Sequence, residues 1–308
     1  MPAGAGGVRS VRTVCAVSGV EISVIIPVWD GYCRLLPEAI ESVLSQQDGP
    51  ATEVVVVDNA STTPLPDLPA GARVVRSPKR TSIGESRNFG LQHTDAPFVL
   101  FLDADDRLLP GGLAHLHGQI TGRPDVVAAA AAIVAWNTET GEQSPYLSLP
   151  LRRAYALAPY PRLFALGNLL SYLLPVTGAA LLRREAVLAA GGFTAQNYGE
   201  DWGLSAPLAF HGRVALSRTP VRVYRLERGS LYFRVHPRST SQTALRHLRR
   251  HVLEDPHVPW YAKALLPVVA LGHWVKVRRH TPGGFEDPAR YYIGEAKPPA
   301  AQPQEVGG

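Results

Sequence analysis

Three carboxylates, Asp103, Asp105 and Asp106, fall within four positions directly after an apolar run, Phe98–Leu102. Carboxylates crowded in this way repel one another, and each is costly to hold ionised without a partner. A divalent cation is the usual remedy, because Asp and Glu oxygens suit hard ions such as magnesium, calcium or manganese. The alternative is a solvated acidic turn that caps the helix expected over Pro110–Thr121.

The five apolar residues before Asp103 read as a strand buried on both faces. Two other runs have the same character. Ile22–Val28 is β-branched and stops at Trp29-Asp30-Gly31, and Glu53–Asp58 places four valines before a carboxylate. A helix over Arg34–Gln47 follows from Leu36, Ile40 and Val43 at helical spacing with Pro37 in the first turn. A further strand is expected over Ala72–Arg76 and a helix from about Gly84. The order β-α-β-β-α-β implies a mostly parallel sheet with right-handed crossovers. Ligands of such sheets bind beyond the C-terminal strand ends. That rim collects Pro27–Asp30, Asp58 and Asp103–Asp106. Downstream, strands are expected over Val126–Trp136, Thr177–Arg183, Val214–Ser217, Val221–Arg225 and Leu231–Val235. A short helix is expected over Glu185–Ala190, and another opens at Glu200, to be cut short by Pro207. Residues 137–161 read as turn-rich.

With 308 residues, 45% hydrophobic and 19% charged, the chain is globular and long enough for a proper core. Two cysteines exclude a disulfide scaffold and fit a reducing, cytoplasmic compartment. Neither has a His or Cys neighbour at zinc-ligand spacing. Leu163–Leu182 is uncharged for twenty residues, yet Gly167, Pro175 and Gly178 make it a helix, a break and a strand.

Five segments, taken together and in order, resemble the inverting GT-A glycosyltransferases of the family 2 type. They are the opening strand into Pro27-Val28-Trp29, Glu53–Thr62, Gly84-Glu-Ser-Arg-Asn-Phe-Gly90, Phe101–Asp106, and Gly191-Gly-Phe-Thr followed by Glu200-Asp201-Trp202. The resemblance runs from about Glu21 to Ser241. It implies a GT-A fold with a nucleotide-binding sheet flanked by helices and a smaller acceptor-binding part. The implied activity moves a sugar from a nucleotide-diphosphate sugar, most commonly a UDP-sugar, to an acceptor hydroxyl of a glycan, a lipid-linked or a small molecule. Pro27 and Trp29 would flank the base, with Asp58 accepting a hydrogen bond from it. Arg87 would face the nucleotide, and Asp103 would contact ribose or a metal-bound water. Asp105, with Asp103 and His236, would hold Mn²⁺ or Mg²⁺, with Asp106 behind them. Asp201 would be the base and Glu200 its neighbour. Against the family pattern, Trp29 replaces a Tyr, and Gly203 and Pro207 stand where the helix behind the base should be stronger. That departure keeps a non-catalytic nucleotide-sugar-binding relative as the alternative. A nucleotidyltransferase is less favoured, because residues 27–31 lack a Gly-rich phosphate loop.

This gives four expected units: a flexible extension over 1–20, the transferase domain over 21–243, a basic helical extension over 244–294 and a disordered tail over 295–308. Between Ala244 and His280 seven Lys/Arg face two acids, an excess of five that equals the net charge of the chain. This segment either packs on the catalytic domain or touches the inner face of an anionic membrane. No base-stacking motif accompanies its charge, which excludes nucleic acid as a partner.

Overall fold

The computed structural model describes residues 19–47, 49–146, 149–226 and 237–279. Its centre is one sheet. Strands β1 (Ile22–Val28), β2 (Thr52–Asp58), β3 (Ala72–Arg76) and β4 (Phe98–Phe101) form the parallel part in the order β3-β2-β1-β4. The chain steps from β1 outward to β3 and then returns to the other side of β1. A crevice therefore opens between the C-terminal ends of β1 and β4. Register aligns Val28 with Asp58 and Ile25 with Phe101, so the ends of all three strands share one rim.

The sheet continues with β8 (Ala180–Arg183) antiparallel to β4, then β6 (Val126–Asn137), β9 (Arg213–Leu226) and the two-residue β5 (Arg107–Leu108). A short β7 (Gln143–Tyr146) pairs with β6. The two strands expected at 214–217 and 221–225 are one strand, β9. Irregular pairing near its middle takes up the break that the sequence suggests. Leu231–Val235 lies outside the described residues.

Successive residues of a strand point to opposite faces, so β1 feeds two cores. Val24 and Ile26 pack with Leu36 and Ile40 of α1 (Leu36–Leu44) and Leu113 and Leu116 of α3 (Gly112–Ile120). Ile25 packs on the other side with Leu91 of α2 (Ile83–Leu91), Phe164 of α5 (Pro161–Leu170), Val187 of α6 (Arg184–Ala189) and Leu204 of α7 (Glu200–Leu208). Cover on both faces is why β1 is buried at all seven positions. Helix α4 (Leu149–Leu157) occupies part of the span expected to be turn-rich.

A third core joins α7 to the C-terminal helices α8 (Pro237–Glu254), α9 (Trp260–Lys263) and α10 (Leu266–Arg279). Leu248, Val252, Ala262, Leu266 and Val269 close over Trp202 and Ala206. Trp202 also stacks on His273 at 5.8 Å between ring centroids. The basic segment thus packs on the catalytic domain, and α8 runs through the boundary expected at 243/244. Pro259 and Pro267 fall where the segment divides into separate helices. They stand at the start of α9 and α10, where a missing N–H costs nothing.

Candidate functional site

Helix α2 explains itself residue by residue. Ser82 caps it, with Glu85 reaching back to complete a capping box. Gly84 lies against the Thr194 carbonyl, and a Cβ there would sit inside that oxygen. Gly90 rests on Ile25 and Val57 of the sheet with no room for a side chain. Asn88 clamps the Phe193 peptide from both sides: Nδ2 donates to its carbonyl at 2.8 Å, and its N–H donates to Oδ1 at 2.9 Å. The helix is therefore fixed between the sheet and the 191–200 segment, with one charged side chain, Arg87, left to point into the crevice.

Arg87 is buried and bridges two carboxylates. Nη1 donates to Glu200 Oε1 and Nη2 to Asp103 Oδ1, both at 2.6 Å. Burial works against the guanidinium charge, but Asp103 and Glu200 more than restore it and hold the group protonated. One arginine thereby ties the carboxylate motif after β4 to the start of α7, where Asp201 follows Glu200.

The three aspartates are held differently. Burial acts to raise the pKa of Asp103, yet Arg87 and Arg222 bring it below the usual carboxylate range. Asp106 is buried, ion-paired with Arg222, and accepts the Arg225 N–H at 3.0 Å. Asp105 alone makes no ion pair and accepts no side-chain hydrogen bond among the described residues. Burial, followed by the charge of Asp103, raises its pKa to about 6. A carboxylate raised in this way and crowded by another is a donor set that fits a hard divalent cation. His236 lies outside the described residues.

Glu200 is pushed up to about 7 by burial and by Asp201, with Arg87 opposing. Burial also raises Asp201, against the Trp202 N–H that donates to Oδ1 at 2.7 Å, against Arg87, and against a hydrogen bond from Tyr172. Glu200 is thus poised to exchange a proton near neutral pH, and burial shifts Asp201 in the same direction. Gly203, which departs from the pattern behind them, has a local cause. A Cβ there would meet Thr194 Cγ2 at 2.5 Å and Oγ1 at 2.6 Å. Pro207 lies one residue before the end of α7.

On the other wall, Pro27 is buried within β1, and Trp29 stands part-exposed at the mouth. The Trp29 ring meets Tyr32 edge-on at 5.2 Å, and the Arg80 guanidinium lies 4.8 Å from its centre. Asp58 accepts the Ser61 N–H at 2.9 Å and pairs with Arg76. Asn59, next in the motif, fastens the turn into α2 through Thr81.

Arg222, Arg225 and Tyr172 were not foreseen in the sequence. Arg222 stands between Val221 and Val223 on the buried stretch of β9, a position where a charge signals a buried partner. Gly178, with φ +68, leaves the space that its guanidinium fills. Arg225 and Arg107 lie either side of Glu38, and each packs on Trp136 at 4.5 and 4.6 Å.

The sequence model of glycosyl transferase family 2 matches residues 23–188, more than half of the chain. The chain belongs to that family. It is a glycosyltransferase with a GT-A fold. Among solved structures, S. aureus TarS in complex with UDP-GlcNAc is similar over 85% of this chain and 74% of that one, with a TM-score of 0.60 and 20% identity. The mannosyltransferase PcManGT from Pyrobaculum calidifontis, in complex with GDP-Man and Mn²⁺, is similar over 86% of this chain and 77% of that one, with a TM-score of 0.51 and 20% identity. A Mycobacterium tuberculosis (strain CDC 1551 / Oshkosh) relative described as uncharacterized protein MT1568 is 32% identical over 100 residues, which is 31% of each chain. No helix among the described residues of the family 2 transferase is long and apolar enough to cross a membrane.

Proposed function

We propose that the transferase moves a sugar from a nucleotide-diphosphate sugar, with UDP as the nucleotide, to an acceptor hydroxyl with inversion at the anomeric carbon. The observation that carries this reading is the Asp103–Arg87–Glu200 bridge, which sets the donor-side carboxylates and the Glu200-Asp201 pair at a fixed spacing. The part-exposed Trp29 offers a flat face to the base, and Asp58 a carboxylate oxygen to its N–H. Asp105 and Asp103 would hold a divalent cation, Mn²⁺ or Mg²⁺, with His236 as a further ligand. Its contribution when bound is to offset the charge that develops on the leaving diphosphate. The solved mannosyltransferase complex with GDP-Man and Mn²⁺ supports that assignment by likeness of fold.

Asp201 takes the proton of the acceptor hydroxyl. The acceptor oxygen bonds to the anomeric carbon as the bond to the diphosphate oxygen breaks on the opposite face. Tyr172 and the Trp202 N–H orient the carboxylate for that transfer. Glu200 stays on Arg87 and keeps α7 against the donor side.

Nucleotide release from UDP-GlcNAc and GDP-Man, measured with Mn²⁺ and with chelator, tests the reading. Asp105→Ala should remove cation-dependent turnover. Asp201→Asn should lower turnover by about 10²–10⁴-fold with donor affinity unchanged, the range for loss of a general base. Wild-type turnover in either variant would overturn the corresponding role.

A further inference from the structure

The outward face of the C-terminal helices does not look like a solvated face. From Ala264 to Val275 there are twelve residues without an Asp, Glu, Lys or Arg. The inner side of this run, Leu266 and Val269, is spent on the third core. The outer side is apolar as well: Val268 is 54% exposed, Leu271 61% and Trp274 49%, and Trp260 just before them is 79% exposed. Ala264, Pro267, Ala270 and Gly272 lie between them on the surface. A helix packed on one side ordinarily turns charge to water on the other. Here the charge stands at the borders instead. Lys263 precedes the run and Lys276, Arg278 and Arg279 follow it. Arg246, Arg249 and Arg250 are exposed on α8 at i, i+3, i+4 spacing, and Leu253 continues the same stripe. Lys263 Nζ joins the two helices by donating to the Leu253 carbonyl at 2.9 Å.

We propose that this face docks on an anionic lipid bilayer, with Trp260, Val268, Leu271 and Trp274 at the headgroup–acyl boundary and the exposed Arg246, Arg249 and Arg250 on the lipid phosphates. Aromatic and aliphatic side chains within a basic border are the composition that such an interface selects. The same charge argues against a second copy of the chain, because a two-fold contact would set arginine against arginine. The helices that carry the face also clasp α7, so docking would hold the Glu200-Asp201 carboxylates at a set height above the lipid.

The test uses the full chain and sedimentation with vesicles of phosphatidylcholine alone, or of phosphatidylcholine with one third phosphatidylglycerol. Binding is expected to the anionic vesicles only, and to weaken as salt shortens the reach of the charges. Trp260→Ser and Leu271→Ser should each weaken binding by about tenfold, the factor expected for one large apolar side chain taken out of water. Arg249→Glu with Arg250→Glu should abolish the preference for anionic lipid. The thermal midpoint should stay unchanged in all of them, since these side chains are exposed. Val74→Ser, on the edge strand β3, is the control and should bind as the wild type does. Equal binding to both vesicle types, no binding to either, or binding indifferent to these substitutions would overturn the proposal. So would a stable dimer in solution that Leu271→Ser dissociates. None of these readouts requires turnover, so the result stands apart from the reading of the active site.

Discussion

Replacing Arg87 by Met is the sharpest single perturbation of this structure. The guanidinium is buried and makes two contacts of 2.6 Å, to Glu200 and Asp103. Removing one partner of a buried ion pair costs about 3–5 kcal/mol, because a charge stays behind unpaired. Here two carboxylates stay behind, which puts the loss at the upper end of that range at about pH 8. The sign of its pH dependence follows from Glu200. Its pKa is already about 7 with Arg87 present, and without the guanidinium it rises further. A carboxylate whose folded pKa is raised binds protons more readily folded than unfolded, so its penalty shrinks as pH falls. Each unit of extra rise returns about 1.4 kcal/mol on acidification. The wild-type and variant unfolding midpoints in urea should therefore converge between about pH 8 and about pH 5.5. Adding Glu200→Gln to Arg87→Met should recover part of the loss at the higher pH. A cost under about 1 kcal/mol, or one that is flat across this range, would refute the idea that the bridge carries charge in the folded state.

Gly84→Ala should destabilise the protein although alanine is the better helix former, since the new methyl falls on the Thr194 carbonyl. Gly203→Ala should cost about 1–3 kcal/mol by overpacking Thr194, read as a drop in denaturation midpoint. Asn88→Ala should cost a similar 1–3 kcal/mol (about one unmade pair of hydrogen bonds to the Phe193 peptide), by the same measurement. Asp255→Asn reports on the joint between α7 and α8. Burial acts to raise Asp255, but His211, 2.6 Å away, and the His257 N–H outweigh it and lower its pKa. Its stabilisation is present above the unfolded value and is lost as pH falls through the lower folded value. The variant should be less stable than wild type by about 1–3 kcal/mol at neutral pH, with the gap closing below about pH 4.

The strands that build the rim were legible because they are buried on both faces, which leaves uninterrupted β-branched and aromatic runs ending on carboxylates. β3 was placed to the residue, and α2 to within one residue of its start. Pairings between distant segments were not legible. Nothing local in Val221–Arg225 says that its arginines end on Asp106 and beside Asp105, more than a hundred positions away. Nor does Gly203 announce that Thr194 occupies its Cβ position. It reads as a weakness in a helix, whereas in the fold it is the condition for close packing. The continuity of β9 was hidden for a related reason. Ser217–Thr219 has turn composition, but pairing with β6 at Leu216 and again at Pro220 keeps it within one strand.

The residues that establish kinship, 23–188, end before α7 begins. Asp58, Arg87 and Asp103–Asp106 therefore lie within the family core, while the helix bearing Glu200 and Asp201 is seated by two different supports. One is the Arg87 bridge, which belongs to the core. The other is the cluster around Trp202 and His273, which belongs to the C-terminal helices. Substitutions in α8 or α10 can therefore act on the seating of α7 without touching the Arg87 bridge. If Asp201 is the base proposed above, the C-terminal helices would act on its position from outside the crevice.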